Sequence, residues 1–413
     1  ITVTTRKKSV FVSVKDFGVG ISRENLSYVI DSTAGPVTDM AFISSWVAYE
    51  IGMIGIALTT AGLAVENTYG IFLETVPYRF YNIFAIALVI IIILTQKDYG
   101  PMYAAEKRAR LSGNLVNEGS TPMMSKELDA MNVKEGTPLR ICNAVVPIVT
   151  FIVITLLAMY YTGGGFDNTF SIETIKNAFG DCDSASSIFY AVIIASIVSI
   201  VMAVVQKIMT LREAIDVWMN GCKELLLTVT ILLFAWTSGS IMHELGTGAY
   251  IAELVGGTVP GAILPVIIFA VSCLVSFSTG TSYGTTAIMI PIAFPLAMGI
   301  NGGVLDSYAV LTIAAVTCGA IFGDHCSPIS DTTIMSSMGS AADLMDHVRT
   351  QIPYAVTAAI VAAVCGFIPA ALGVSAWICL PIGIVVLYLV VRFLGKSTNE
   401  EDLKKEAAQE AAA

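Results

Sequence analysis

The chain is poor in charge. Of its 413 residues only 13% are Asp, Glu, Lys or Arg, while 55% are hydrophobic. Soluble domains carry about 25% charged residues, so an ordinary soluble enzyme is excluded. A mean hydropathy of +0.76 excludes a disordered chain. The formal net charge of -10 excludes a nucleic-acid partner, because phosphate would be repelled. Histidine is scarce too. His243, His325 and His347 are all there is, too few for a His-rich metal site. The eight cysteines include no CxxC pair, so neither a zinc site nor a disulfide framework is read, and no cofactor is expected. The opening residues lack a basic stretch followed by an apolar run, so no signal peptide is read there.

What is present is a series of long uncharged apolar runs, the mark of an all-α polytopic protein of the cell membrane. Spans are expected over 41–63, 80–96, 141–161, 186–205, 225–243, 261–299, 308–338, 353–373 and 375–395. The 97–140 loop carries Lys97, Lys107, Arg108, Arg110, Lys126, Lys134 and Arg140, which places it in the cytoplasm. The 163–185 loop, with Lys176 among four acids, falls outside. The tail over 396–413, with Lys396, Lys404 and Lys405, should again be inside. That parity holds only if one of the two stretches 261–299 and 308–338 fails to cross. The first is expected to be a re-entrant hairpin with its tip at Ser278-Thr279-Gly280-Thr281-Ser282. Its arms of about 15 residues are too short for the ~30 Å hydrocarbon core. Between the spans, 341–352 reads as an amphipathic linker whose Asp343, Asp346 and Arg349 form a solvated face.

Three stretches carry chemistry. Gly323-Asp324-His325-Cys326-Ser327-Pro328-Ile329-Ser330-Asp331-Thr332-Thr333 places two acids, a histidine and several hydroxyls inside apolar sequence. Gly323 and Pro328 should interrupt the helix and free backbone carbonyls. Carboxylates at bilayer depth are costly and by default functional. With unwound carbonyls and hydroxyls they suit a hard cation such as Na⁺. The second stretch, Asp31-Ser32-Thr33-Ala34-Gly35-Pro36-Val37-Thr38-Asp39, echoes the first: Asp39 follows Pro36 by three, as Asp331 follows Pro328. Paired breaks of this kind point to repeated transporter halves, and 31–39 is expected to be a broken helix. The third is the hairpin tip, whose Thr279 and Thr281 offer neutral oxygens but no charge. Glu50 lies in the first span, as a proton carrier or a structural hydrogen-bonding group. No Lys or Arg is read inside the spans before Arg392, which favours a cation over an anion as cargo.

These motifs resemble those of the NhaC-type Na⁺/H⁺ antiporter family, whose relatives include sodium-linked malate–lactate exchangers. Ser278-Thr279-Gly280-Thr281-Ser282-Tyr283-Gly284-Thr285, Ile21-Ser22-Arg23-Glu24-Asn25-Leu26 and Asp98-Tyr99-Gly100-Pro101-Met102 fit the same family, from about Ile21 to about Gly395. The resemblance implies an inverted-repeat secondary transporter with broken helices and a re-entrant hairpin in each repeat. By that pattern 21–96 is a remnant of a truncated first repeat, 97–140 a cytoplasmic loop, 141–395 the second repeat and 396–413 the tail. Residues 1–20 are foreign to it. Val10, Val12 and Val14 alternate as in a strand, and Asp16-Phe17-Gly18-Val19-Gly20 resembles a box of histidine-kinase-type ATPase domains. That segment is read as a junction without ATP binding.

The expected activity is exchange of Na⁺ for H⁺. Asp324 and Asp331 are the exchanging acids, Ser327, Ser330, Thr332, Thr279 and Thr281 supply neutral oxygens, Asp31 and Asp39 form the matching acids of the other break, and His325 and Glu50 tune proton affinity. A shared carboxylate gives obligatory exchange by competition. Na⁺, H⁺ and the bilayer are then the partners, with a homodimer left open. The alternatives are sodium-coupled exchange of malate or lactate, an inactive fragment of such a transporter, and an intramembrane aspartyl hydrolase.

Overall fold

The structure is a computed structural model, and it describes residues 2–6, 9–13, 21–41, 44–60, 63, 68–121, 140–167, 169, 171–180, 182–223, 263–300 and 304–412. The expected span at 225–243 and the Gly-rich box at 16–20 lie outside the described residues. Strands β1 (Thr2–Arg6) and β2 (Ser9–Ser13) form an antiparallel hairpin, in line with the Val10–Val12 alternation. Among the described residues all else of length is helical. Among the described residues six helices are long and apolar enough to cross a membrane, and one bent pair adds a seventh.

The chain divides into two compact units. The smaller holds α6 (Cys142–Thr162), α7 (Ile172–Gly180) and α8 (Ser184–Val205). In it α6 and α8 pack side by side, tied where Thr162 Oγ1 meets Ser187 Oγ at 3.2 Å. Most of their apolar side chains, such as Ile148, Leu157, Phe189 and Ile197, face outward. A helix that is apolar all round is one built for lipid.

The larger unit carries the polar interior. Its helices are α1 (Arg23–Thr38), most of α2 (Ser45–Thr60), α3 (Thr68–Thr75), α4 (Phe80–Thr95) and α5 (Gly100–Ser112). They are joined by α9 (Leu264–Thr279), α10 (Ser282–Ile300), α11 (Ser307–Cys326), α12 (Asp331–Ser340), α13 (Leu344–Ala371), α14 (Ala376–Leu394) and α15 (Glu400–Ala412). The segment Thr68–Tyr78 and α4 meet at a 47° bend. Pro77 lacks the N–H that would continue the helix, and Arg79 sits at the joint.

The centre is α11, buried along almost its whole length. Helix α9 runs parallel to it. Ser276 Oγ donates to the Ala320 carbonyl at 2.5 Å, and Ser327 Oγ donates to the Phe277 carbonyl at 2.7 Å. Gly280 then turns the chain with φ +65°, and a Cβ there would stand 2.6–2.8 Å from Ile329. Helix α10 leaves that turn and also packs on α11, whose first residue follows its last by a short connection. The pair α9–α10 is therefore a hairpin whose tip meets the gap between α11 and α12. From that gap α12 runs ten residues, about 15 Å, to Ser340, whose carbonyl accepts from Arg23 Nη1 at 3.1 Å beside the 97–121 segment. Taken alone α10 is long enough to cross, but the packing makes it one arm of a re-entrant hairpin.

Two expectations about breaks need correction. Gly35 and Pro36 do not interrupt 31–39: α1 stays helical to Thr38. Pro36 lacks an N–H, but one missing bond in a well-packed helix is tolerated, and the interruption falls after Asp39. Residues 341–352 are amphipathic as expected, with Asp343, Asp346 and Arg349 on the more exposed side, but they are not a separate linker, because α13 already begins at Leu344. Asp343 caps α13 by accepting from the amides of Met345 and Asp346, and the helix buries His347 and Gln351 from its first turns.

The ends of the larger unit meet on one side. Strand β3 (Lys97–Asp98) pairs antiparallel with β4 (Lys396–Ser397). Thr398 N donates to the Gln96 carbonyl at 2.9 Å, and Tyr103 donates to Glu406 on α15. The 97–121 segment and the tail thus share a face, as the parity of the loop charges required.

Candidate functional site

Asp324 lies in the last turn of α11 and is 1% exposed. The chain leaves the helix at Ser327 and re-enters one at Asp331, so the hydroxyls of the gap fold back on it. Ser330 Oγ donates to Asp324 Oδ1 at 2.9 Å and Thr332 Oγ1 to Oδ2 at 3.0 Å. Thr332 and Thr333 hydroxyls also lie 3.0 Å from the Asp324 backbone carbonyl. Asp331 opens α12, where the positive end of the helix dipole faces a carboxylate, and its Oδ1 accepts from the Thr332 amide at 3.0 Å. These three positions, Asp324, Ser330 and Thr332, are brought together as the sequence suggested. Ser327 is not spare: its hydroxyl ties the gap to the hairpin. Thr279 Oγ1 donates to its own helix at Val275, and Thr281 Oγ1 accepts from the Gly284 amide at the start of α10. Both sit at the hairpin tip without a hydrogen bond to Asp324.

A second polar group adjoins the first. His325, 2% exposed, holds Ser32 Oγ at Nε2 and Tyr81 Oη at Nδ1, each at 2.7 Å. It fastens α11 to α1 and α4. Asp31 lies in the middle of α1, fully buried, with Oδ2 accepting from His347 Nε2 at 3.1 Å and Gln351 Nε2 at 3.0 Å. Gln351 also donates to the His325 carbonyl, so the Asp31 group and Asp324 are joined through one intervening residue.

The third group gathers Asp39 and Glu50 around a residue that the sequence reading did not place in the membrane. Arg79 is 0% exposed. Its Nη1 donates to Asp39 Oδ2 at 2.7 Å and its Nη2 to Glu50 Oε2 at 2.5 Å. Thr75 Oγ1 and Asn82 complete the cluster, the latter donating to Asp39 Oδ2 at 2.6 Å. The statement that no Lys or Arg precedes Arg392 inside the spans is therefore wrong. Arg79 stands between two apolar runs, Ile71–Phe72 before it and Phe80 onward after it. Counting both runs as one bent span would have found it. His347, Gln351 and Tyr354 were also missed, although their spacing of four and three marks one helical face.

Chemically, the three groups differ. The guanidinium at Asp39 and Glu50 compensates those acids. Among the described residues no Lys or Arg contacts Asp324, Asp331 or Asp31. A buried carboxylate without a fixed counter-charge is stable only with a mobile one, a proton or a metal cation. Many hydroxyls and a carbonyl at one acid give oxygen ligands of the kind an alkali cation accepts.

A multi-pass helical bundle with uncompensated carboxylates at a helix gap, and a hairpin tip reaching that gap, has the build of a secondary transporter. The profile of the Na⁺/H⁺ antiporter family matches residues 40–368, and the chain belongs to that family, a family of membrane transporters. An uncharacterized protein of Haemophilus influenzae is 34% identical over 82% of this chain and 62% of its own length. The Na⁺/H⁺ antiporter NhaC of Alkalihalophilus pseudofirmus is 44% identical over 20% of this chain and 18% of its own. The malate-2H⁺/Na⁺-lactate antiporter of Bacillus subtilis is 27% identical over 30% of this chain and 31% of its own. The chain spans less than two thirds of the length of these curated relatives. No solved structure matches it.

Proposed function

We propose that this chain forms the ion-handling part of a secondary antiporter that exchanges Na⁺ for H⁺ across the cell membrane. The observation that carries the reading is Asp324, buried at the α11–α12 gap and ringed by hydroxyls, with no Lys or Arg in contact among the described residues. Protonated, the acid is neutral and keeps its hydrogen bonds. Deprotonated, it needs a cation, and Ser330, Thr332 and the nearby carboxylate of Asp331 supply oxygens around it. One acid that holds either a proton or Na⁺, never both, links the two fluxes. Motion of the hairpin tip against the gap would open the site to one side at a time.

The Bacillus relative supports a second reading, in which a small carboxylate accompanies the ions. Arg79 does not serve it, because its two faces are already taken by Asp39 and Glu50. The test is a pH change on adding Na⁺ to proteoliposomes that contain the protein. Exchange in the wild type with loss to background in Asp324→Asn and Asp331→Asn supports the site. Undiminished exchange in Asp324→Asn sinks it. A response to Na⁺ only when malate or lactate is present transfers the reading to carboxylate exchange.

A further inference from the structure

Seven buried side-chain atoms have no hydrogen-bond partner among the described residues. Five of them lie between two facing helices: Glu24 Oε2, Ser27 Oγ and Asp31 Oδ1 on α1, His347 Nδ1 and Gln351 Oε1 on α13. Glu24, Ser27 and Asp31 follow each other at three and four residues, one face of α1 over about 10 Å. None of the five residues is more than 2% exposed. Native interiors rarely leave such atoms unpaired, and where they cluster, water completes them. The outer end of the row opens on a cavity of about 440 Å³ lined by Glu24, Arg108, Asp346, Arg349 and Thr350. Thr350 Oγ1 donates to the His347 carbonyl at 2.9 Å, so the cavity reaches the turn that carries the histidine. The inner end is Asp31, which Gln351 links to the backbone carbonyl of His325, the neighbour of Asp324.

We infer that α1 and α13 enclose a proton route that runs from the Glu24 cavity past Ser27 and His347 to Asp31 and serves the exchange at Asp324. The inference rests on the Na⁺/H⁺ reading above. His347 suits a relay. When Asp31 is ionised, Nε2 must be the donor to it, which leaves the buried Nδ1, without a partner among the described residues, as an acceptor. A proton arriving at Nδ1 leaves the ring doubly protonated, and the Nε2 proton then passes to Asp31 Oδ2, which returns the ring to neutrality as the Nδ1–H tautomer. Loss of the Nδ1 proton and regain of one at Nε2 must reset it before the next transfer. The ionisable groups bearing on the ring are Asp31 on α1 and His325 on α11, with Glu24, Arg108, Asp346 and Arg349 around the cavity.

Two fluxes separate this role from a structural one. Proton movement driven by Na⁺ and isotopic Na⁺-for-Na⁺ exchange at constant pH are measured in the same proteoliposomes. His347→Gln keeps a donor for Asp31 but carries no proton onward. It should slow proton movement by about tenfold or more, while Na⁺-for-Na⁺ exchange stays within about twofold of wild type. Ser27→Ala removes a hydroxyl that has no hydrogen-bond partner among the described residues, so folding should be unaffected and only proton movement should slow. If both fluxes fall by the same factor in these variants, or neither falls, the route is wrong. If the wild type exchanges Na⁺ for Na⁺ yet moves no protons, the Na⁺/H⁺ reading itself fails, and the route with it.

Discussion

Arg79 shows how one residue can decide whether two others are tolerable. Taking Asp39 and Glu50 out of water is costly, and the guanidinium answers both through separate nitrogens. Arg79→Gln leaves two buried carboxylates with no counter-charge, which should cost about 3–5 kcal/mol and appear as a large fall in thermal stability in detergent. Adding Asp39→Asn and Glu50→Gln to that variant should recover most of the loss. Failure to recover would mean that Arg79 acts by packing and not by charge. Asp98, outside the spans, gives a pH-dependent case. It is buried under the Tyr354 hydroxyl, which donates to it at 2.7 Å, and desolvation pushes its carboxyl up to about 6. The folded chain then binds this proton more tightly than the unfolded chain. Stability from this residue is full below about pH 4, falls as the pH rises to about 6, and is flat above. Asp98→Asn should remove that slope and raise stability at neutral pH by no more than about 3 kcal/mol, as read from melting curves at pH 5 and pH 8. Neither residue's role was legible in the sequence. Arg79 looked like a loop residue because the span was begun one position after it, and Asp98 looked like a loop acid because its cover, Tyr354, lies far away in the chain.

Among the elements, the α9–α10 hairpin and the α11–α12 gap depend on glycines at their contact. At Gly323 a Cβ would stand 2.2 Å from the Phe277 amide nitrogen and 2.3 Å from the Ser276 carbonyl carbon. Those are backbone atoms and cannot turn aside, so Gly323→Ala must push α9 away from α11. The bonds from Ser276 to Ala320 and from Ser327 to Phe277 go with it. The expected result is a loss of about 3 kcal/mol or more and, on the proposed Na⁺/H⁺ exchange, a loss of Na⁺-dependent proton movement. A fully active, fully stable Gly323→Ala would show that the hairpin does not lean on the gap. The tip and half of the gap signal were readable in advance: Gly280 turns the hairpin and Pro328 falls in the gap, whereas Gly323, also read as a break, lies inside α11, which stays helical to Cys326 because the glycine serves its close contact with α9. The break near Asp39 was misplaced by the same rule. Gly35 and Pro36 give the signal locally, but α1 is held on several sides by α4, α12 and α13, and packing overrides it.

At the scale of the whole larger unit, charge parity and packing give the same topology by independent routes. Charge parity rests only on the basic residues of 97–140 and of the tail. The structure adds a direct tie between those segments, through β3 with β4 and α5 with α15. It also gives a hairpin whose ends lie at the far end of α11, beside the exposed Leu305. The hydroxyl-ringed acid was legible because bilayer-depth polarity stands out against lipid-facing sequence. The facing of α1 by α13 was not, since nothing in two short polar rows says that they meet. In a background with the native cysteines replaced, single cysteines at Glu118, Asn399 and Leu305 test the topology with a membrane-impermeant thiol reagent. Glu118→Cys and Asn399→Cys should label from one side of sealed vesicles and Leu305→Cys from the other. If Leu305→Cys labels together with Glu118→Cys, then α9 and α10 do not return to the side they entered from. The hairpin would be a crossing span, and the site at its tip would have to be placed elsewhere.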